Sequence, residues 1–179
     1  YRSPNAETIP AAFKDPDGFW TGFAARARVI IYNTELVSTA PTSIFDLAKP
    51  EWRGRACIAK PLFGTTAAQA AAMFASWGEE KTKAYFESLR ANEVTVLPGN
   101  AQVRDRVAAG DFAFGLTDTD DANGAVEDGL PAAFVYPDQG EDGIGTLVIP
   151  NTVALIKGAP NAEAGKKLID YLLSPEVEM

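Results

Sequence analysis

The order of apolar and polar positions divides the chain into short segments. Arg28–Asn33 (RVIIYN) is apolar and β-branched, which predicts a strand. The polar stretch Thr34–Pro41 follows, and Thr42-Ser43-Ile44-Phe45-Asp46-Leu47 reads as a short capped helix with Trp52 packed beneath it. Arg55–Lys60 is the next strand. The loop Pro61-Leu62-Phe63-Gly64-Thr65-Thr66 then launches an alanine-rich helix through about Trp77, and a second helix runs over about Glu79–Ala91. Thr95–Leu97 predicts a strand, Pro98-Gly99 a turn, and Asn100–Ala109 a helix capped by Asn100.

Further along, Phe112–Leu116 is a strand, Asp120–Asp128 a helix and Ala132–Tyr136 a strand. An acidic, glycine-rich loop at Pro137–Gly145 precedes two strands, Thr146–Ile149 and Val153–Ile156. Asn161 is expected to cap a last helix whose apolar positions, Ala164, Leu168, Ile169, Leu172 and Leu173, have the spacing of one buried face. Residues 1–27 are rich in Pro, Gly and aromatics and carry a turn signal at Lys14-Asp15-Pro16-Asp17-Gly18. Repeated strand–helix alternation argues for an α/β fold, a mostly parallel mixed sheet flanked by helices. In such sheets ligands sit beyond the carboxyl ends of the strands, at helix N-termini.

Composition narrows the chemistry. The chain has 179 residues, enough for one ordinary domain or two small lobes. Its net charge of −8 repels phosphate backbones, so nucleic acid is not an expected partner. A small anion is still admissible, because backbone N–H groups make a locally positive pocket. The absence of histidine removes Ser-His-Asp and Cys-His triads and His-ligated metals. Cys57 is the only cysteine, set in the apolar run Ala56-Cys57-Ile58-Ala59, and reads as a small core residue. No apolar run approaches the ~20 residues of a membrane-spanning helix. The chain opens at Tyr1-Arg2-Ser3 without initiator Met or signal peptide, and it stops at Met179 just after a helix, so it is expected to be a segment of a longer protein.

Three strand-to-helix junctions carry suitable polar groups. At Phe63-Gly64-Thr65-Thr66 the glycine admits close backbone approach and the hydroxyls can donate; a plain threonine N-cap is the alternative. At Pro98-Gly99-Asn100, Asn100 can cap its helix and also reach a ligand. At Leu116-Thr117-Asp118-Thr119-Asp120-Asp121-Ala122-Asn123, three carboxylates and an amide fall within six residues. One aspartate is explained as an N-cap. Three like charges need compensation by a cation, an ammonium group or solvent. Asp118-x-Asp120 also matches, superficially, the nucleophile loop of haloacid-dehalogenase-like phosphatases, with Asp118 as nucleophile, Asp120 as acid/base and Mg²⁺ as cofactor. That motif normally opens its domain, whereas here it follows more than a hundred residues. A calcium loop counted from Asp118 fails, because its sixth position is Asn123 rather than glycine.

Taken in order, several segments resemble the iron(III)-type branch of bacterial extracellular solute-binding proteins, which have the type II periplasmic binding fold. They are Gly22–Asn33, Pro41–Leu47, Trp52-Arg53-Gly54-Arg55, Val107–Asp111, Ile149–Asn161 and Leu168–Ser174. The resemblance implies a periplasmic, non-catalytic component of an ABC importer that works with a membrane permease and holds no resident cofactor. It implies residues 1–34 as a remnant of a first lobe with the outbound hinge crossing, 35–149 as the second lobe, and 150–179 as the return crossing and C-terminal helix. With the rest of the first lobe absent, apolar surface on residues 1–27 and 161–179 would favour self-association of this chain. Carried over by position, Gly64, Thr65 and Thr66 match an anion-binding loop, Asn100 a cleft asparagine, and Arg26 an arginine beside the anion. Ferric-binding relatives carry an adjacent tyrosine pair where Asp120 and Asp121 stand. The departure points to an anionic or zwitterionic ligand, an organic phosphate or aminophosphonate. The alternative is a metal ion held by Asp118, Asp120 and Asp121 with a synergistic anion.

Overall fold

A computed structural model describes residues 1–141 and 143–178; Asp142, in the acidic loop, and Met179 lie outside the described residues. The chain forms two compact units, one of residues 1–26 with 148–178 and one of residues 27–147. Strand β1 (Thr21–Asn33) enters both.

The larger unit is a five-stranded sheet in the order β3-β2-β4-β1-β5, with β2 at Ala56–Ala59, β3 at Thr95–Leu97, β4 at Phe114–Asp118 and β5 at Ala132–Val135. β2 runs parallel to β3 and β4, while β1 is antiparallel to β4 and β5. Four strands therefore point one way and β1 alone points back, which is the expected mostly parallel sheet with one reversal.

Alternation along β1 and β2 assigns the two sheet faces. Ile30 and Ile58 join Leu116, Phe114, Met73, Tyr85 and Leu89 in one core, beneath α1 (Gly64–Trp77) and α2 (Glu79–Ala91). Val29, Ile31, Cys57 and Ala59 join Val103, Val107, Ala122 and Ala125 in the other, beneath α3 (Asn100–Ala108) and α4 (Thr119–Glu127). Each fully buried Val, Ile or Leu contributes about 1.5–3 kcal/mol relative to exposure. Because each face is dry, the strands are apolar on both sides, as parallel-type strands require.

Three segments differ from the sequence reading. β1 begins at Thr21 rather than Arg28, since Phe23-Ala24-Ala25-Arg26-Ala27 has weak intrinsic strand preference and takes its conformation from pairing. The helix read at Thr42–Leu47 is a 3₁₀ turn, Ile44–Ala48, closed by a capping box between Ser43 and Asp46. The two strands read at 146–149 and 153–156 are one strand, β6 (Val148–Val153), which runs through Pro150 and pairs with β1. A proline is tolerated there because it removes a donor only from an edge.

The smaller unit holds a modest core of Ala6, Ile169 and Leu173, with Phe23, Val153 and Leu155 against it. Its helix α5 (Ala162–Leu172) is tied to the first residues by Ser3 Oγ, which donates to Asp170 at 2.5 Å, and by Asn5 Nδ2, which donates to the Asp170 carbonyl at 2.8 Å. Phe19, Leu168 and Tyr171 remain exposed. No helix is long and apolar enough to cross a membrane among the described residues.

Candidate functional site

Strands β3, β2 and β4 lie side by side and end at the same edge, so the helices that follow them start together. These are α3, α1 and α4. An α-helix leaves its first N–H groups without intrahelical acceptors, and a Ser, Thr, Asp or Asn side chain at the N-cap usually takes one. Here the N-caps are Phe63, Gly99 and Asp118, and none makes a side-chain capping bond. The capping roles read for Thr65 or Thr66 and for Asn100 are thereby corrected, because these residues lie one to three positions inside their helices. Gly64 opens α1 with φ +58°, a left-handed conformation that L side chains avoid.

What Thr65, Thr66 and Asn100 do instead follows from a residue the sequence reading passed over. Arg28 on β1 is fully buried, and antiparallel register sets it opposite Asp118. Its Nη1 donates to Asp118 Oδ1 at 2.5 Å, to Asn100 Oδ1 at 3.1 Å and to Thr65 Oγ1 at 3.3 Å, and its Nε donates to Gln69 Oε1 at 2.9 Å. Around this guanidinium the side chains close on one another. Thr65 Oγ1 donates to Asp118 Oδ2 at 2.6 Å, and Asn100 Nδ2 donates to the same oxygen and to Thr65 Oγ1, both at 2.9 Å. Thr66 Oγ1 donates to Asn100 Oδ1 at 3.3 Å. Burial pulls the Arg28 pKa below the usual arginine value, and the adjacent Asp118 carboxylate opposes that shift.

Asp120 and Asp121 occupy the first turn of α4, where negative charge is stabilised by the helix dipole. Asp120 is exposed and Asp121 half-buried, with Thr117 Oγ1 3.5 Å from Asp121 Oδ2. One oxygen each of Asp118, Asp120 and Asp121 lie within 4.8 Å of one another, so these are the residues that would hold a cation. Arg104 on α3 feels Asp121 as well: its pKa is raised mainly by a hydrogen bond from its guanidinium to Asp105, with Asp121 adding to the effect.

Of the residues singled out from sequence, Thr65, Thr66, Asn100 and Asp118 are joined directly. Gly64 shapes the start of α1, and Asp120 and Asp121 flank the cluster on α4. Arg26 is half-buried on β1, the last residue of the smaller unit. Arg28 and Gln69 were missed. Arg28 had a signal, a lone charge beginning the apolar run Val29-Ile30-Ile31; Gln69 sits inside an alanine-rich helix and had none.

The edge is therefore a polar cluster held by one buried cation, with three uncapped helix ends above it and two further carboxylates beside it. Each helix end carries about half a positive charge, Arg28 and Asp118 form a buried ion pair, and Asp120 and Asp121 add negative charge in the first turn of α4. Such a surface suits a small ligand that is anionic, or that bears both signs.

The chain as a whole is similar to several known proteins. A protein of Synechocystis sp. named iron uptake protein A1 is 32% identical over 179 residues, spanning 93% of this chain and 48% of that protein. A periplasmic protein of Salmonella typhimurium, to which 2-aminoethylphosphonate binding is ascribed, is 28% identical over 178 residues, 97% of this chain and 52% of that protein. Among solved structures, the apo ferric ion-binding protein A of Pasteurella haemolytica superposes with a TM-score of 0.84 at 29% identity, covering 99% of this chain and 58% of that one. A periplasmic binding protein of Actinobacillus pleuropneumoniae with exogenous fructose-6-phosphate bound gives 0.84 at 29% identity, covering 99% of this chain and 57% of that one. This chain thus spans about half the length of the curated relatives it matches. The bacterial extracellular solute-binding protein family matches residues 1–179, the whole chain, and to that family the chain belongs.

Proposed function

We propose that this chain supplies one ligand-binding wall of a periplasmic solute-binding protein that delivers a small phosphate- or phosphonate-bearing anion or zwitterion to an ABC importer, and that it performs no catalysis. The observation that carries this reading is the meeting of three helix N-termini whose caps are Phe63, Gly99 and Asp118. Helix ends without side-chain caps cost stability unless something else accepts their N–H groups, and an oxyanion does so. The hydroxyls of Thr65 and Thr66 and the amide of Asn100 are engaged with Arg28, Asp118 and one another, so main-chain N–H groups are the donors offered to the anion. Asp120 and Asp121 then take an amine or hydroxyl at the other end of the ligand. Arg26, which the resemblance puts beside the anion, belongs to the same reading.

The relatives support both halves of that ligand, since one is named for 2-aminoethylphosphonate and another structure holds a sugar phosphate. Iron names also occur among them. The resemblance implies a tyrosine pair in ferric-binding relatives where Asp120 and Asp121 stand, and carboxylates in place of phenolates favour the anion reading over Fe³⁺. The phosphatase alternative is weakened by the setting of Asp118: the carboxylate is 1% exposed, and both its oxygens accept hydrogen bonds. A carboxylate so engaged is poorly placed for in-line attack on phosphorus.

Isothermal titration of the chain with 2-aminoethylphosphonate and with inorganic phosphate tests the proposal. Binding of both is expected, with Asp120→Asn weakening the amine-bearing ligand and sparing phosphate. Absence of binding to either, or Mg²⁺-dependent phosphate release from a phosphomonoester that Asp118→Asn abolishes, overturns it.

A further inference from the structure

The carboxylate oxygens of Asp118, Asp120 and Asp121 lie within 4.8 Å of one another. Oxygens around one Ca²⁺ at about 2.4 Å sit up to about 4.8 Å apart, so the spacing alone would admit a cation. What opposes it is Arg28. Its guanidinium lies 2.5 Å from Asp118 Oδ1, both side chains are sealed from solvent at 0% and 1% exposure, and Gln69, Asn100 and Thr65 fix its orientation. Asp118 Oδ2 is turned toward the Thr65 hydroxyl and the Asn100 amide. A second cation at Asp118 would face a buried, immobile positive charge with little solvent to screen it.

We infer that Arg28 determines the sign of the charge this site accepts: as the internal counterion of Asp118, it keeps the three aspartates from acting together on a cation and leaves the helix N-termini to select an anion. Arg28 is a specificity-determining and positioning residue that touches no ligand. The inference rests on the anion reading of the site, yet one arm of its test is independent of that reading.

The experiment is calorimetric titration of the folded chain with CaCl₂ and, separately, with inorganic phosphate, for wild type and four variants. Arg28→Gln keeps an amide that can bond Gln69 or Asn100 but removes the charge. It is expected to bind Ca²⁺ about tenfold or more tighter than wild type and phosphate about tenfold or more weaker. Arg28→Gln/Asp118→Asn should lose the calcium gain, because the cluster falls to two carboxylates. Arg28→Lys keeps the charge, loses the planar fork, and should show no calcium gain. Asp118→Asn removes the carboxylate that pairs directly with Arg28, with Asp121 still acting on it, and should bind phosphate severalfold more tightly, which supplies a reading even where Arg28→Gln fails to fold. The inference is overturned by a folded Arg28→Gln with wild-type calcium affinity, by a gain that persists in the double variant or appears in Arg28→Lys, or by Asp118→Asn with no tighter phosphate binding. A wild type that ignores phosphate sinks the anion reading instead, and the calcium titrations then decide the role of Arg28.

Discussion

Gly115→Ala is the sharpest probe of how the sheet fixes the site. Gly115 lies mid-strand in β4, paired with Cys57 of β2 on one side and Ile31 of β1 on the other. A Cβ added there would stand 2.7 Å from Val103 Cγ1 and 2.8 Å from both the carbonyl oxygen and the sulfur of Cys57. Relaxed carbon contacts lie at about 3.5–4.0 Å, so close to 1 Å must be found. Val103 can give by moving α3 outward, and the sulfur can yield slightly. The Cys57 carbonyl belongs to the β2 backbone and cannot yield without breaking the ladder. Overpacking commonly costs about 1–3 kcal/mol, and a backbone obstacle puts this substitution near 3 kcal/mol. At about 2–4 °C per kcal/mol for a chain of this size, the melting temperature should fall by about 6–12 °C. Thermal unfolding followed by circular dichroism measures it. Cys57→Ala in the same chain removes the sulfur contact and should recover part of the loss, while the carbonyl contact persists. Because Val103 is one turn from Asn100, the variant should also bind phosphate more weakly while still folded. A melting temperature within about 2 °C of wild type would refute the argument that close approach of α3 to β4 sets the position of the Asn100 turn.

Three further outcomes are expected. Gly64→Ala meets no atom within 4 Å but keeps φ +58°, so it should cost about 1–2 kcal/mol in urea unfolding through backbone strain alone; a neutral result would show that the α1 start relaxes freely. Asp46 is driven upward by burial but more strongly downward by hydrogen bonds from Lys49 and from the N–H groups of Thr42 and Ser43, so its folded pKa is depressed. Its contribution is therefore present above the unfolded carboxylate pKa of about 3.9 and lost as pH falls through the lower folded value, and Asp46→Asn should flatten the acid limb of stability against pH. Burial pushes the Cys57 thiol up to about 12, with Arg106 acting weakly the other way. An aromatic disulfide reagent at pH 8 should label it slowly in the native chain and quickly in urea; rapid native labelling would contradict its burial.

Sequence reasoning reached the strand–helix alternation because β2, β4 and α1–α4 carry their own periodicity and sit where local preference and tertiary packing agree. It failed where packing overrides preference. The Ala-Ala-Arg-Ala part of β1 is a strand only because of what it pairs with, and β6 crosses a proline that reads as a break. At the site, residue types at the three junctions identified Thr65, Thr66, Asn100 and Asp118 as neighbours in purpose. The pairing that joins them was not legible, because Arg28 and Asp118 stand 90 positions apart and meet only through antiparallel register. Nor could composition show that the polar side chains of this cluster hold one another.

The reversed strand has a consequence for assembly. β1 comes first in the sheet's chain order, yet it takes its place between β4 and β5, so its ladder closes the longest loops in the sheet. Loop closure disfavours such pairings until nearer ones exist, which makes insertion of β1 a late event beside the docking of β2, β3 and β4. Arg28 arrives with that strand. A half-assembled sheet therefore carries Asp118 without its guanidinium, and on the proposed anion reading a bound solute would favour only molecules whose last strand is home.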